Sequence, residues 1–232
     1  MFGVFVNMAT IVAGAIIGIT VKKGIPKKVS DATMEIMGLI SLFIGIQGAL
    51  KGEKTLVVLI SLVLGTVVGT MIDINKYVEG FGEFLKKKFA SNDSENAKFV
   101  DAFVTTSVLF GIGAMAILGS IEAGIKHEYS IFFLKSIMDF VSSVFYATTM
   151  GIGVAFSAIT ILVLQGSMTI LASFIKPFAD DVGLMNEVTC CGNILIMAIG
   201  LNVMGITKIK IANLLPSIIL VPIIYYLYNL II

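Results

Sequence analysis

Long apolar runs recur along almost the whole chain, and they constrain the fold more than any other feature. Of the 232 residues, 57% are hydrophobic and 13% are charged, whereas about a quarter of the residues in a soluble domain are charged. A helix of about 20 apolar residues crosses about 30 Å of hydrocarbon with its backbone amides paired. Runs such as Leu56 to Ile72 lack the alternation of a membrane β-strand. The sequence therefore predicts an all-α membrane protein with the lipid bilayer as a partner.

Polar breaks divide these runs into about eight predicted transmembrane helices. The helices cover residues 2–21, 30–50, 55–73, 99–121, 130–148, 152–175, 183–204 and 211–230. The stretch from 129 to 175 is too long for one span, so we place a turn at Thr148 to Gly153. Without that turn the count is seven. All eight helices form one transmembrane domain over residues 1–232.

Lysine clusters predict the orientation, because cytoplasmic loops are enriched in lysine and arginine. Lysines follow the first, third and seventh predicted helices, near residues 22–28, 86–88 and 208–210. This alternation fits eight spans with both termini outside the cytoplasm. The first positive charges come after the first apolar run, so we expect that run to remain as a helix and not to be a cleaved signal.

The order of apolar runs and polar breaks also predicts how the chain is divided into helical units. Residues 1–73 and 152–232 form two three-helix units, and residues 98–148 connect them after a cytoplasmic segment at 74–97. That segment combines an amphipathic helix over 75–89 with a polar loop. The tetrapeptide ending at Gln47 resembles the one ending at Asn202. An offset of five spans would relate helices 1–3 to helices 6–8 as an inverted repeat.

Two ionisable residues lie inside the fifth predicted helix, where each costs about 2.5–3.5 kcal/mol on insertion scales. Lys135 and Asp139 are four residues apart and share one helix face. One interpretation is a pathway lining or ion-coupling pair, which predicts a hydrated cavity around them. The other is a self-neutralised ion pair that docks the helix, which predicts a dry, paired contact.

Further polar groups are candidates for transport or ion binding. Glu187 lies near the outer end of its helix, where it could reach water. Amides in the spans either join helices by hydrogen bonds or bind an ion or solute. The candidate amides are Asn7, Gln47, Gln165 and Asn202. Four glycines between Gly111 and Gly124, Gly113 among them, predict a break that exposes backbone groups.

Several classes of function have no support in the sequence. The net charge of +1 provides no footprint for nucleic acid. Cys190 and Cys191 are adjacent in an apolar run, which argues against a disulfide or zinc site. The sequence has one histidine, His127, and no nucleotide-binding or hydrolase motif. We therefore expect no enzyme activity, no cofactor and no bound metal.

The sequence resembles a bacterial family of membrane proteins, domain-of-unknown-function family 554, which includes the YqgA- and YdfK-like proteins. The resemblance runs from end to end, and five pieces carry it: the segment Gly111 to Gly124, Lys135-Ser136 with Asp139-Phe140, Gln165, Gly200 to Lys208, and Asn213 to Pro216. It implies a multi-pass protein of the bacterial inner (plasma) membrane. It implies no substrate, because the family has no established one.

The function that these features favour is a secondary transporter or channel for a small ion or polar solute. If the inverted repeat exists, alternating access is the expected mechanism. The alternative is a membrane scaffold or sensor whose polar groups only hold helices together, and an embedded enzyme comes third. The small size of the bundle suggests a homodimer.

Overall fold

The computed structural model describes residues 1–22, 26–77, 80, 96–111 and 114–231, and within them it contains helices and no strand. The helices are α1 (Phe2–Lys22), α2 (Lys27–Ala49), α3 (Thr55–Ile72), α4 (Asn96–Gly111), α5 (Ala114–Ile125), α6 (Ser130–Met150), α7 (Gly153–Ile170), α8 (Ala172–Ala179), α9 (Val182–Val203), a 3-10 turn (Ile211–Leu214) and α10 (Pro216–Ile231). The predicted amphipathic helix at 75–89 and its polar loop lie mostly outside the described residues.

Most of these helices are long and apolar enough to cross a membrane. Seven spans meet that requirement: Phe2–Val21, Asp31–Ala49, Thr55–Ile72, Ser130–Met150, Gly153–Ile170, Val182–Val203 and Ile211–Ile231. An eighth forms if α4 and α5, which are bent by 61° where they meet, make one broken span. The prediction of a helical, multi-pass membrane protein is therefore confirmed for the described residues. The bend also interrupts the predicted helix over 99–121, at the start of the glycine-rich segment.

Two helix ends follow from local chemistry. Gly151 has a φ of +85°, which glycine adopts without the steric cost of a Cβ, and it ends α6 inside the predicted turn. Pro216 begins α10, where its missing N–H has no intrahelical partner to lose. The predicted span at 152–175 is shorter than expected, since α7 ends at Ile170 and α8 follows.

The described contacts divide the chain into two compact units. Unit 1 contains Met1–Met37 and Gly80–Pro177, and unit 2 contains Gly38–Glu79 and Phe178–Ile232. In unit 1, α1 packs against α6 and α7, and α4 packs against α7. In unit 2, α3 and α9 both pack against α10. The predicted three-helix units and their inverted relation stay predictions.

Small residues set the closest helix contacts in both units. A Cβ added to Gly14 of α1 would collide with Ser143 and would lie 2.6 Å from the carbonyl oxygen of Phe140, both on α6. In unit 2, a Cβ on Gly65 of α3 would collide with Ser217 of α10. The glycine pairs at 14 and 18 and at 65 and 69 therefore serve close packing, which is the usual role of small residues at this spacing in membrane helices.

Asp181 caps α9, and its removal tests how much this end of unit 2 depends on one side chain. The Asp181 carboxylate accepts the Leu184 N–H at 3.0 Å and the Tyr225 hydroxyl at 3.2 Å. We expect Asp181→Ala to lower the free energy of unfolding by about 1 kcal/mol and Tm in detergent by roughly 2–4 °C. Asp181→Asn keeps an oxygen acceptor and should stay near wild type. Equal losses in both variants would contradict the capping role.

Candidate functional site

Three apolar helices of unit 1 bring four polar side chains together in the interior of that unit. Asn7 comes from α1, Lys135 and Asp139 from α6, and Gln165 from α7; their exposed fractions are 0%, 7%, 6% and 0%. The spacing of four residues places both ionisable groups on one face of α6, and both are buried. The opposite side of α6 is apolar and exposed, at Phe133, Leu134, Ile137, Met138 and Val141. We call the four side chains the polar cluster.

Hydrogen bonds join the polar cluster into one chain across the three helices. The Lys135 ammonium donates to Asp139 Oδ2 at 2.6 Å, and Asn7 Nδ2 donates to the same oxygen at 3.1 Å. Asn7 Nδ2 also donates to Gln165 Oε1 at 3.2 Å. Because a carboxylate accepts only, Asn7 must turn its NH₂ toward Asp139, and Gln165 must then turn its oxygen toward that NH₂. The two amide orientations are therefore set by Asp139.

This order leaves two buried polar atoms of the polar cluster without a partner among the described residues. They are Asn7 Oδ1, an acceptor, and Gln165 Nε2, a donor. Leaving such a group unpaired costs about 1–3 kcal/mol. The lysine and the aspartate cancel in charge, so the cluster as a whole is neutral. A small group that paired with both atoms would therefore have to offer a donor and an acceptor.

Of the two expectations for Lys135 and Asp139, the structure shows the paired contact. Their side chains are only 8% and 9% exposed, as the docking interpretation expects.

An apolar cavity of about 380 Å³ is present in unit 2. Its lining includes Ile46, Leu50, Gly52, Leu59, Cys190 and Met197.

The remaining predicted residues occupy other positions. Glu187 is buried in unit 2, where Oε1 accepts two backbone N–H groups from residues just before α3. Asn202 holds the turn after α9, because it bonds both backbone groups of Ile209. Gln47 is exposed on α2, and Gly111 is buried at the end of α4. Gly113 lies outside the described residues.

Two contacts were not predicted from the sequence. The buried Ser120 of α5 donates to the backbone oxygen of Gln165 at 3.4 Å, so the glycine-rich segment reaches the edge of the polar cluster. In unit 2, the Lys54 ammonium lies over the ring of Tyr225 at 4.6 Å and of Tyr228 at 5.3 Å, and it contacts Asn229. Tyr225 and Tyr228 near the end of the last span are the sequence feature that could have indicated the Lys54 contact, because aromatic rings attract cations.

Comparisons with known proteins place the chain in a family. The family model described as "Protein of unknown function (DUF554)" matches residues 2–226. The chain is 32% identical to the "Uncharacterized membrane protein YdfK" of Bacillus subtilis (strain 168), over 99% of this chain and 97% of the relative. It is 26% identical to the "Uncharacterized protein YqgA" of Escherichia coli (strain K12), over 95% and 94%. No solved structure matches significantly. The chain is therefore a multi-pass membrane protein that belongs to the DUF554 family.

Proposed function

We propose that this protein moves a small ion or polar solute across the bacterial inner membrane, as a secondary transporter or channel, and that the polar cluster is where the solute binds. The solute is not chemically converted, and both termini lie outside the cytoplasm. The observation that carries the proposal is the pair of unpartnered buried atoms, Asn7 Oδ1 and Gln165 Nε2.

The membrane setting gives that observation its weight. Ionisable and amide groups inside spans are costly, and where they persist they commonly line a substrate or ion pathway. Here they come from three spans that are otherwise apolar, with mean hydropathies of 2.2, 1.4 and 1.7. A cluster that served only to join helices would be expected to pair all its atoms, since a half-satisfied network is less stable than an apolar core.

Flux through proteoliposomes tests the proposal. Sodium, potassium, chloride and proton fluxes are followed with ion-sensitive dyes, and uptake of glycine, urea and glycerol with radiolabel. Gln165→Met keeps the approximate volume and removes the amide, so we expect at least about a tenfold loss of flux for the transported solute. Ser167→Ala on the exposed side of α7 is the matched control, and it should keep wild-type flux.

Thermal unfolding in detergent accompanies each flux measurement. The proposal requires that Gln165→Met loses flux while it keeps a Tm close to that of wild type. Loss of flux together with unfolding would assign Gln165 to packing alone. Wild-type flux at background for the whole panel would contradict transport of these solutes.

A scaffold or sensor role is the second candidate, and the buried Lys135–Asp139 contact at 2.6 Å favours it. In that role the ion pair docks α6 against α1, and no solute enters. The two candidate functions differ in the flux and the stability that are expected when Lys135 and Asp139 are both replaced by apolar residues.

A further inference from the structure

The apolar cavity of unit 2 is a groove that three membrane spans form together. Its lining comes from α2, α3 and α9 and includes Ile46, Ala49, Leu59, Leu62, Ile194 and Met197. Its volume of about 380 Å³ falls in the range of about 300–1,000 Å³ that ligand pockets occupy. We call it the unit 2 groove.

Close packing at glycines explains why a gap remains between α2 and α3. A Cβ at Gly48 of α2 would collide with Asn193 of α9. A Cβ at Gly65 of α3 would collide with Ser217 of α10. The two neighbouring spans are therefore held closely against different helices, and their own side chains do not fill the space between them.

The unit 2 groove opens toward lipid. Ile46 and Leu59 are 42% and 54% exposed, and both lie within spans long enough to cross the membrane. A lipid acyl chain is the apolar neighbour at such a surface, and it would supply the dispersion contacts that an empty gap lacks. Leu50, Gly52 and Thr55 also line the groove, so one end of it reaches the loop between α2 and α3.

That loop is fixed in position at the end of the groove. Glu187 Oε1 accepts the backbone N–H of Glu53 at 2.8 Å and of Lys54 at 2.7 Å. The Lys54 ammonium contacts Asn229 and lies over the ring of Tyr225. The buried Glu187 and the engaged Lys54 therefore hold the loop and cancel each other in charge.

Two opposite charges of the loop remain at the surface. Lys51 and Glu53 are both exposed and stand on either side of Gly52, which lines the groove. No ion pair joins Lys51 to another described residue. Asn186 donates to Glu53 at 3.4 Å, and a carboxylate has further lone pairs that can accept. The end of the groove therefore presents one cation and one anion at the level of the lipid headgroups.

We propose that the unit 2 groove binds one molecule of phosphatidylethanolamine. An acyl chain lies between α2 and α3, the phosphate pairs with the Lys51 ammonium, and the primary ammonium of the headgroup donates to the Glu53 carboxylate. Phosphatidylglycerol offers the phosphate but no cation for Glu53. Phosphatidylcholine offers a trimethylated cation that has no N–H to donate. This site does not depend on the function proposed above.

Native mass spectrometry of the purified full-length protein in detergent tests the site. The protein is mixed with equal amounts of dioleoyl phosphatidylethanolamine, dioleoyl phosphatidylglycerol and dioleoyl phosphatidylcholine. The acyl chains are identical, so only the headgroup distinguishes the three lipids. We expect one phosphatidylethanolamine per chain, with an occupancy about fivefold above that of either other lipid.

Four variants assign the parts of the lipid to their partners. Lys51→Gln should weaken the binding of all three lipids, because all carry the phosphate, and Glu53→Gln should remove only the preference for phosphatidylethanolamine. Leu59→Trp places a larger side chain in the groove and should reduce the binding of every lipid. Leu64→Trp is its matched control, since Leu64 is 47% exposed on the same helix and outside the lining.

Thermal unfolding of each variant shows whether it folds. Lys51 and Glu53 are exposed, so these two variants decide the question if Leu59→Trp is unfolded. Equal occupancy by the three lipids, or unchanged binding in a folded Leu59→Trp variant, overturns the proposal. A dimer without bound lipid would assign the groove to a second copy of the chain and also overturn it. Absence of flux in proteoliposomes would leave this measurement unaffected.

Discussion

Asp139→Asn is expected to lower the free energy of unfolding by about 3 kcal/mol and to reduce any flux to background. The substitution removes the only ion-pair partner that the described residues give to Lys135, so a buried ammonium loses its counter-charge. The change keeps volume and one oxygen acceptor, which isolates the charge. Equilibrium unfolding in mixed micelles and flux in proteoliposomes measure the two effects separately.

The double variant Lys135→Met with Asp139→Leu separates docking from transport. Replacing a buried ion pair by apolar residues is often neutral or stabilising, so we expect wild-type stability to return. A transport site would stay inactive in this variant, because its charges are gone. Recovery of both stability and flux would contradict a role of the pair in transport.

Glu122 and Lys126 provide a matched control for that experiment. They form an ion pair with the same spacing of four residues, at 3.6 Å, but their side chains are 29% and 56% exposed. We expect Glu122→Gln to cost less than about 1 kcal/mol, because water and salt screen exposed pairs. A cost similar to that of Asp139→Asn would mean that burial is not the cause.

Gly14→Ala should lower the free energy of unfolding by about 1–3 kcal/mol, the second largest effect we expect. The added methyl group would meet the hydroxyl of Ser143 and the backbone oxygen of Phe140 on α6. A backbone atom cannot rotate away, so α1 and α6 must separate. Since Asn7 and Asp139 bond across the same two helices, the hydrogen bond between them should weaken as well.

Gly166→Ala on α7 is the control for this steric effect. Its added methyl group would find only the flexible end of Met1, at 3.4 Å. Alanine favours helix over glycine by roughly 0.5–1 kcal/mol, so this variant should be neutral or slightly more stable by thermal unfolding. If both alanine variants behave alike, close packing at Gly14 does not hold α1 against α6.

Much of the fold was predictable because the bilayer imposes simple requirements. Apolar runs of the right length must be helices, so α1, α2, α3, α6, α9 and α10 fell near their expected bounds, whereas the predicted helix over 99–121 is divided into α4 and α5. Gly151 and Pro216 mark helix ends for local reasons that a sequence displays. The short α8 was missed because nothing in the run up to residue 175 signals that α7 ends at Ile170.

The polar cluster was partly predictable for the same reason. Lys135 and Asp139 stand out because charges inside a span are costly, and their spacing places them on one face of a helix. Asn7 and Gln165 were also candidates from the sequence, but nothing distinguished them from the other amides in the spans. Gln47 is exposed and Asn202 secures a turn, and no spacing along the chain distinguishes these roles.

The membrane class, the helices and the ionisable stripe on α6 thus follow from local composition and periodicity. The partners do not: Asn7 meets Asp139 across 132 positions, and Glu187 reaches the amide of Lys54 across 133. Contacts over such separations depend on how helices pack, which is governed by close approach at glycines such as Gly14 and by mutual shape. Only the tertiary structure could show that two atoms of the polar cluster and one oxygen of Glu187 are buried without partners in the part of the chain that it describes.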